Sequence, residues 1–222
     1  SQIEVQENII IGGQGDGSIT LNIGTKVTVT DTTKLGELEE GRGRVQMQGS
    51  PDTEWVTYKD LIIGGEGYGK FIVKNQAQLT AEEIILGQEE TGEGSLELTG
   101  HENTKVKIMS DLIIGDKGKG EFRLDRGDLE VINIHLAKSG GEGDFLQESG
   151  TVKLPGDLIL TGQEGGTGNY TMQGGTLNVR SIQKGPGNGV FNWESGVIYT
   201  QSYYLDLLNS EGVLDPGLEP DQ

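Results

Sequence analysis

Asp60-Leu61-Ile62-Ile63-Gly64-Gly65-Glu66-Gly67-Tyr68-Gly69-Lys70-Phe71-Ile72-Val73 reads as strand, glycine turn, strand. An apolar triplet is followed by clustered glycines and then by an alternation that sends every second side chain to one face. The tightest part of the phrase is Gly-x-Gly-x-(apolar). It returns at Gly15/Gly17/Ile19, Gly41/Gly43/Val45, Gly67/Gly69/Phe71, Gly92/Gly94/Leu96, Gly118/Gly120/Phe122, Gly141/Gly143/Phe145, Gly166/Gly168/Tyr170 and Gly187/Gly189/Phe191. The second glycines of these eight copies are 26, 26, 25, 26, 23, 25 and 21 residues apart. A near-fixed period of roughly 20 to 50 residues marks a solenoid or array.

Working outward from each Gly-x-Gly, an apolar segment precedes it: Ile9-Ile10-Ile11, Leu61-Ile62-Ile63, Ile84-Ile85-Leu86, Leu112-Ile113-Ile114, Ile134-His135-Leu136 and Leu158-Ile159-Leu160, with Leu35 and Ile182 as thinner versions. A half-buried strand pattern follows it, and a second turn, often with glycine (Gly127, Gly150, Gly175, Gly196), leads to a third alternating segment such as Val152-Lys153-Leu154. Three short strands per period cannot close a core alone, but stacked copies pair every strand in parallel. The expected fold is all-β: a single-stranded parallel β-helix (β-solenoid) of about eight coils, roughly triangular in section. It forms one domain over 1–222, with a leading strand in 1–8, repeats over 9–200 and a terminal segment in 201–222 that continues into, or is cut from, a longer chain. All four phenylalanines and Tyr170 fall two residues after the second glycine, so stacking predicts one aromatic column.

Composition agrees. Glycine supplies 38 of 222 residues and proline only 5, which favours tight turns over a disordered linker. A net charge of −18 argues against nucleic-acid binding, which needs clustered Lys and Arg, and disfavours anionic membranes. The absence of cysteine removes disulfides and thiol chemistry. No apolar run reaches membrane-spanning length, and Ser1-Gln2-Ile3-Glu4-Val5 is not a signal peptide.

Chemistry-bearing patterns are sparse, and no cofactor is expected. Gly12-Gly13-Gln14-Gly15-Asp16-Gly17 is similar to a calcium β-roll turn, but Gly17 and Gly69 stand where ligand carboxylates are needed, so calcium is not expected as a structural cofactor. Some β-helices cleave polysaccharides with paired carboxylates, yet among 35 acidic residues such spacings arise by chance. The reading is therefore not an enzyme. His135, between Ile134 and Leu136, is expected to face outward. Longer excursions at one corner, Gly49 to Trp55 and Gly100 to Lys105, make Trp55 and His101 the candidate binding residues.

The phrase (apolar)3-Gly-x-x-Gly-x-Gly-x-Phe-x-Val, with its Gly-containing turn and third strand, resembles the repeat associated with autotransporter (type V secretion) passengers and PEP-CTERM surface proteins over roughly Ile9 to Thr200. The ending Leu207 to Gly217 is similar to a phrase that often follows such repeats. The chain departs from that pattern in showing no β-barrel translocator and no C-terminal sorting segment. The resemblance implies export and a secreted or cell-surface location, without implying a chemistry. Neither end shows a polar capping repeat, so end-to-end self-association is expected, with Ile3 and Val5 of one copy against Tyr203, Tyr204 and Leu205 of another. The functional expectation is a fibre or stalk subunit, with an adhesin for glycan or protein as the alternative.

Overall fold

Every coil begins its first face where the second glycine of a Gly-x-Gly turn lets the chain run back under its own preceding strand. The computed structural model describes residues 1–204 and 213–215. The first face is a parallel sheet of Asp16–Leu21, Arg42–Gln48, Tyr68–Lys74, Glu93–Thr99, Lys119–Leu124, Glu142–Gln147, Thr167–Met172 and Asn188–Trp193, stacked in chain order. The other strands form one folded sheet that supplies two faces. Its second face runs from Gln2–Val5 through Lys26–Val29 and the first half of Glu54–Ile63 to Val213–Asp215. Its third face holds the apolar triplets, starting with Ile9–Ile11. The chain is thus an all-β solenoid of about eight turns with no helix among the described residues. At about 4.8 Å per turn it is on the order of 35 Å long.

In Glu54–Ile63 the corner between the second and third faces is turned without a glycine. The pairing there passes from Thr57↔Ala81 to Asp60↔Glu83, so one extra residue bulges out and bends the strand. The same slip lies between Leu154 and Asp157. At the corner into the first face the glycines divide two tasks. Gly115 has φ +70°, a conformation that costs other residues about 1 to 2 kcal/mol. Gly120 lacks positive φ but has no room: an added Cβ would lie 2.2 Å from the Gly115 backbone nitrogen.

Register carries the core. Ile19, Val45, Phe71, Leu96, Phe122, Phe145, Tyr170 and Phe191 pair in sequence down the first face. The expected aromatic column is present. Phe122 and Phe145 have ring centroids 4.6 Å apart, Phe145 and Tyr170 4.5 Å, and Tyr170 and Phe191 5.2 Å, all nearly parallel. Opposite them, Val27, Trp55, Leu79, Val106, Leu129, Val152, Leu177 and Ile198 form the second-face column. The largest of the buried polar side chains is a glutamine. Gln147 is buried because the phenol of Tyr170, one turn on, donates to its Oε1 at 2.7 Å, while its amide donates to the carbonyls of Gly150 and Thr176.

Truncating a mid-column ring by Phe122→Ala should cost about 3 to 5 kcal/mol in denaturant unfolding. A loss below about 1 kcal/mol would place the ring outside the core. Tyr170→Phe orphans a buried amide oxygen and should cost about 1 to 3 kcal/mol. Gln147→Leu added to Tyr170→Phe should recover part of that loss, and a strictly additive double variant would show that the pair is not coupled.

Candidate functional site

The triplets define the most structured exterior region. Their outer residues point into the core, so the middle one faces out: Ile62, Ile85, Ile113, His135 and Ile159 follow one another up the third face. Outward isoleucines on a sheet are ordinarily wet. Here Ile62, Ile85 and Ile113 are 6%, 7% and 3% exposed and form a small apolar cluster separate from the main core. A polar row, Asp60, Glu83, Asp111, Asn133, Asp157 and Ser181, rises where the bulge ends. Asp116 and Lys138 begin the turns on the other side of the triplets. Charges from both edges, Asp60, Asp111, Asp116 and Lys138, act on the Glu83 carboxyl. The isoleucine row is therefore the floor of an acidic trough.

Toward the later coils this row is stitched together. Asn133 Nδ2 donates to Asp111 Oδ1 at 2.8 Å, and Asn133 Oδ1 accepts the Asp157 backbone N–H at 3.0 Å. The Asp157 carboxylate accepts two bonds from Arg180 (3.0 and 2.6 Å) and one from the Ser181 hydroxyl (2.7 Å). The Arg180 bond is the main reason its carboxyl lies below the usual range. His135 is half-buried, as alternation predicts for an outward side chain under partial cover. Burial lowers its proton affinity and Asp111, 3.5 Å away, opposes that shift. At the earlier end Glu83 is raised, first by burial and then by its acidic neighbours. Within this row only Asp60, Glu83 and Asp111 are carboxylic residues on adjacent coils, whose strands lie roughly 5 Å apart, close to the separation of glycosidase pairs. Asp111 and Asp157 spend their carboxylates on hydrogen bonds between coils. Among the described residues no group of three or more His, Asp or Glu side chains is placed to hold a metal ion.

Neither Trp55 nor His101 contributes to this trough, and the two do not form a shared external site. The pairing of Trp55 is corrected by its burial: its ring is 0% exposed, meets Phe71 edge-on at 5.5 Å, and donates its N–H to Thr57 Oγ1 at 3.1 Å. The excursion ends at Thr53, and the alternation from Glu54 carries Trp55 inward. His101 stays on its corner, where Nδ1 accepts the Asn103 N–H at 3.1 Å and Nε2 lies 3.2 Å from the Gln76 amide nitrogen. Ile3 is half-exposed and Val5 packs partly against the core. Tyr203 and Tyr204 pair through their backbones with Ile182 and Gln183, their side chains are outside the described structure, and Leu205 lies outside the described residues. The trough itself was readable as a constant offset, an Asp, Glu or Asn immediately before Leu61, Ile84, Leu112, Ile134 and Leu158.

No family model matches the chain, and no solved structure matches it. The chain is 25% identical over 177 residues to the Escherichia coli (strain K12) uncharacterized protein YuaQ. That alignment covers 76% of this chain and 13% of the relative, so the chain spans only a small part of that protein's length.

Glu83 gives a pH test of the trough. A carboxyl raised above its ordinary value of 4.5 favours the fold while protonated; that contribution is complete below 4.5 and is lost as pH rises through the folded value. Glu83→Gln should therefore raise Tm at pH 7, and the gain should shrink toward pH 4 in scanning calorimetry. An equal gain at both pH values would show that burial and neighbouring charge are not the cause.

Proposed function

We propose that the chain is a non-enzymatic structural element of the cell surface or extracellular space, a fibre or stalk segment exported like the autotransporter passengers and PEP-CTERM proteins its repeat resembles. The observation that carries this reading is the continuous stack: strand pairing runs in register along the second face from Gln2–Val5 to Val213–Asp215. The polar row of the third face supports the same reading, because its carboxylates tie one coil to the next.

Association is end to end. Among the described residues, Gln2–Val5, Ile9–Ile11 and Asp16–Leu21 are each paired on one side only, with Lys26–Val29, Thr33–Leu35 and Arg42–Gln48. Ile3 and Ile10 are 48% and 49% exposed on that edge. The segment from Tyr203 to Leu208 of another copy is the proposed cover. Covering about 300 Å² of apolar surface contributes roughly 7 kcal/mol, comparable with the cost of association, so the contact is concentration-dependent. A head-to-tail contact that does not close on itself propagates into a filament. Adhesion to a glycan is the second reading.

Light scattering of the full chain should show mass growing with concentration, and Ile3→Lys with Val5→Lys should return it to monomer. Ile3 and Val5 both face inward, in register with Val27 and Val29, and Ile3 is the more exposed of the two, so Ile3→Lys alone provides the same test with less disturbance of the core. A wild-type chain that stays monomeric at high concentration would remove the support for a filament.

A further inference from the structure

The outer surface of the first face is not uniformly acidic. Its early coils carry Arg42 and Arg44 on one strand, two residues apart and so on the same side, with Lys70 and Lys74 on the next. Arg42 lies in register between Asp16 and Tyr68, and Arg44 between Ser18 and Lys70. Between them is a shallow depression of about 270 Å³, floored by glycines 17 and 43 and lined by Asp16, Ser18, Arg42, Arg44 and Tyr68.

Neither of the two arginines holds a carboxylate, and unlike Arg126, which is also unpaired among the described residues, they stand side by side on one strand. Arg123 grips Glu148 of the next coil with two bonds, and Arg180 grips Asp157 of the previous one. Lys70 is committed to Glu97 at 2.6 Å. Arg42 forms no ion pair among the described residues, although Asp16 stands beside it in register, and Arg44 makes only a long bond to Gln46 Oε1 at 3.5 Å. On a chain of net charge −18, where carboxylates are plentiful, two uncommitted guanidinium forks sit beside a 41% exposed tyrosine.

We propose that this depression binds a carboxylated polysaccharide of the uronic acid type. A guanidinium fork matches a planar carboxylate with two parallel hydrogen bonds. The Tyr68 ring offers a flat apolar surface for the face of a sugar, the Ser18 hydroxyl can donate to or accept from its hydroxyls, and the Asp16 carboxylate accepts from them. The site is open, so it takes a stretch of an extended chain. Asp16 and the acidic body of the molecule select a ligand with one charge per sugar over denser polyanions, because unscreened repulsion acts within about 8 Å at physiological salt. This inference is independent of end-to-end association, since it concerns the side of the rod.

The test is titration calorimetry of the full chain with hexagalacturonate, a neutral malto-oligosaccharide of equal length and a short single-stranded DNA, all at physiological salt. The proposal expects binding of the uronate alone. Arg42→Ser with Arg44→Ser should weaken it at least about tenfold, and Tyr68→Ala should weaken it several-fold. Arg126→Ser, an exposed arginine on another part of the coil, should leave it unchanged. All four side chains are exposed, so an unaltered circular dichroism spectrum is the expected control. No uronate binding, equal binding of the neutral sugar, tighter binding of DNA, or full binding by a folded Arg42→Ser, Arg44→Ser chain would each overturn the assignment.

Discussion

The parallel hydrogen-bond ladder between coils fixes everything else in this molecule. It holds successive turns at one spacing and one register, so a residue's nearest neighbours are its counterparts one coil before and one coil after. A ring is best placed above a ring, which is why Phe122, Phe145, Tyr170 and Phe191 stack face to face. A polar interior residue needs its partner in the next coil, as Gln147 has in Tyr170. Length differences are confined to corners, where Gly49 to Thr53 and Gly100 to Thr104 add residues without disturbing the strands on either side.

The exterior obeys the same rule with charges. Lys26 meets Glu54, Lys70 meets Glu97, Lys105 meets Glu130 and Arg123 meets Glu148, each across one coil boundary. Single exposed pairs of this kind contribute little, on the order of 0 to 1 kcal/mol. Their value is in register, since a slip of one residue would break these pairs and turn core residues outward. The third face goes further and buries a second, external row of isoleucine beneath its polar edges.

The fold was legible because the glycine turn is a backbone requirement repeated eight times, and backbone requirements leave few alternatives in sequence. The aromatic column was legible for the same reason: its offset from the second glycine is constant. Trp55 was misplaced because position relative to an excursion was weighed above strand parity, and parity set where its ring went. The trough at Glu83 escaped notice because its acidic residues look like ordinary solvated charges one at a time. Only register brings Asp60, Glu83 and Asp111 into one line. The bulge between Thr57 and Asp60 has no glycine to mark it, so that corner was visible only in the pairing.

The direction of the ladder also decides how such a rod bears load. Its inter-coil hydrogen bonds lie along the long axis, so a pull between the two ends loads the coil boundaries in series, and the weakest boundary governs the whole. Failure then proceeds by peeling one turn at a time. Each released turn of about 25 residues yields on the order of 80 Å of slack chain, many times the length it occupied when folded. Under tension, the stack of eight coils would lengthen stepwise and dissipate work at each step, behaving as a shock absorber rather than a stiff strut.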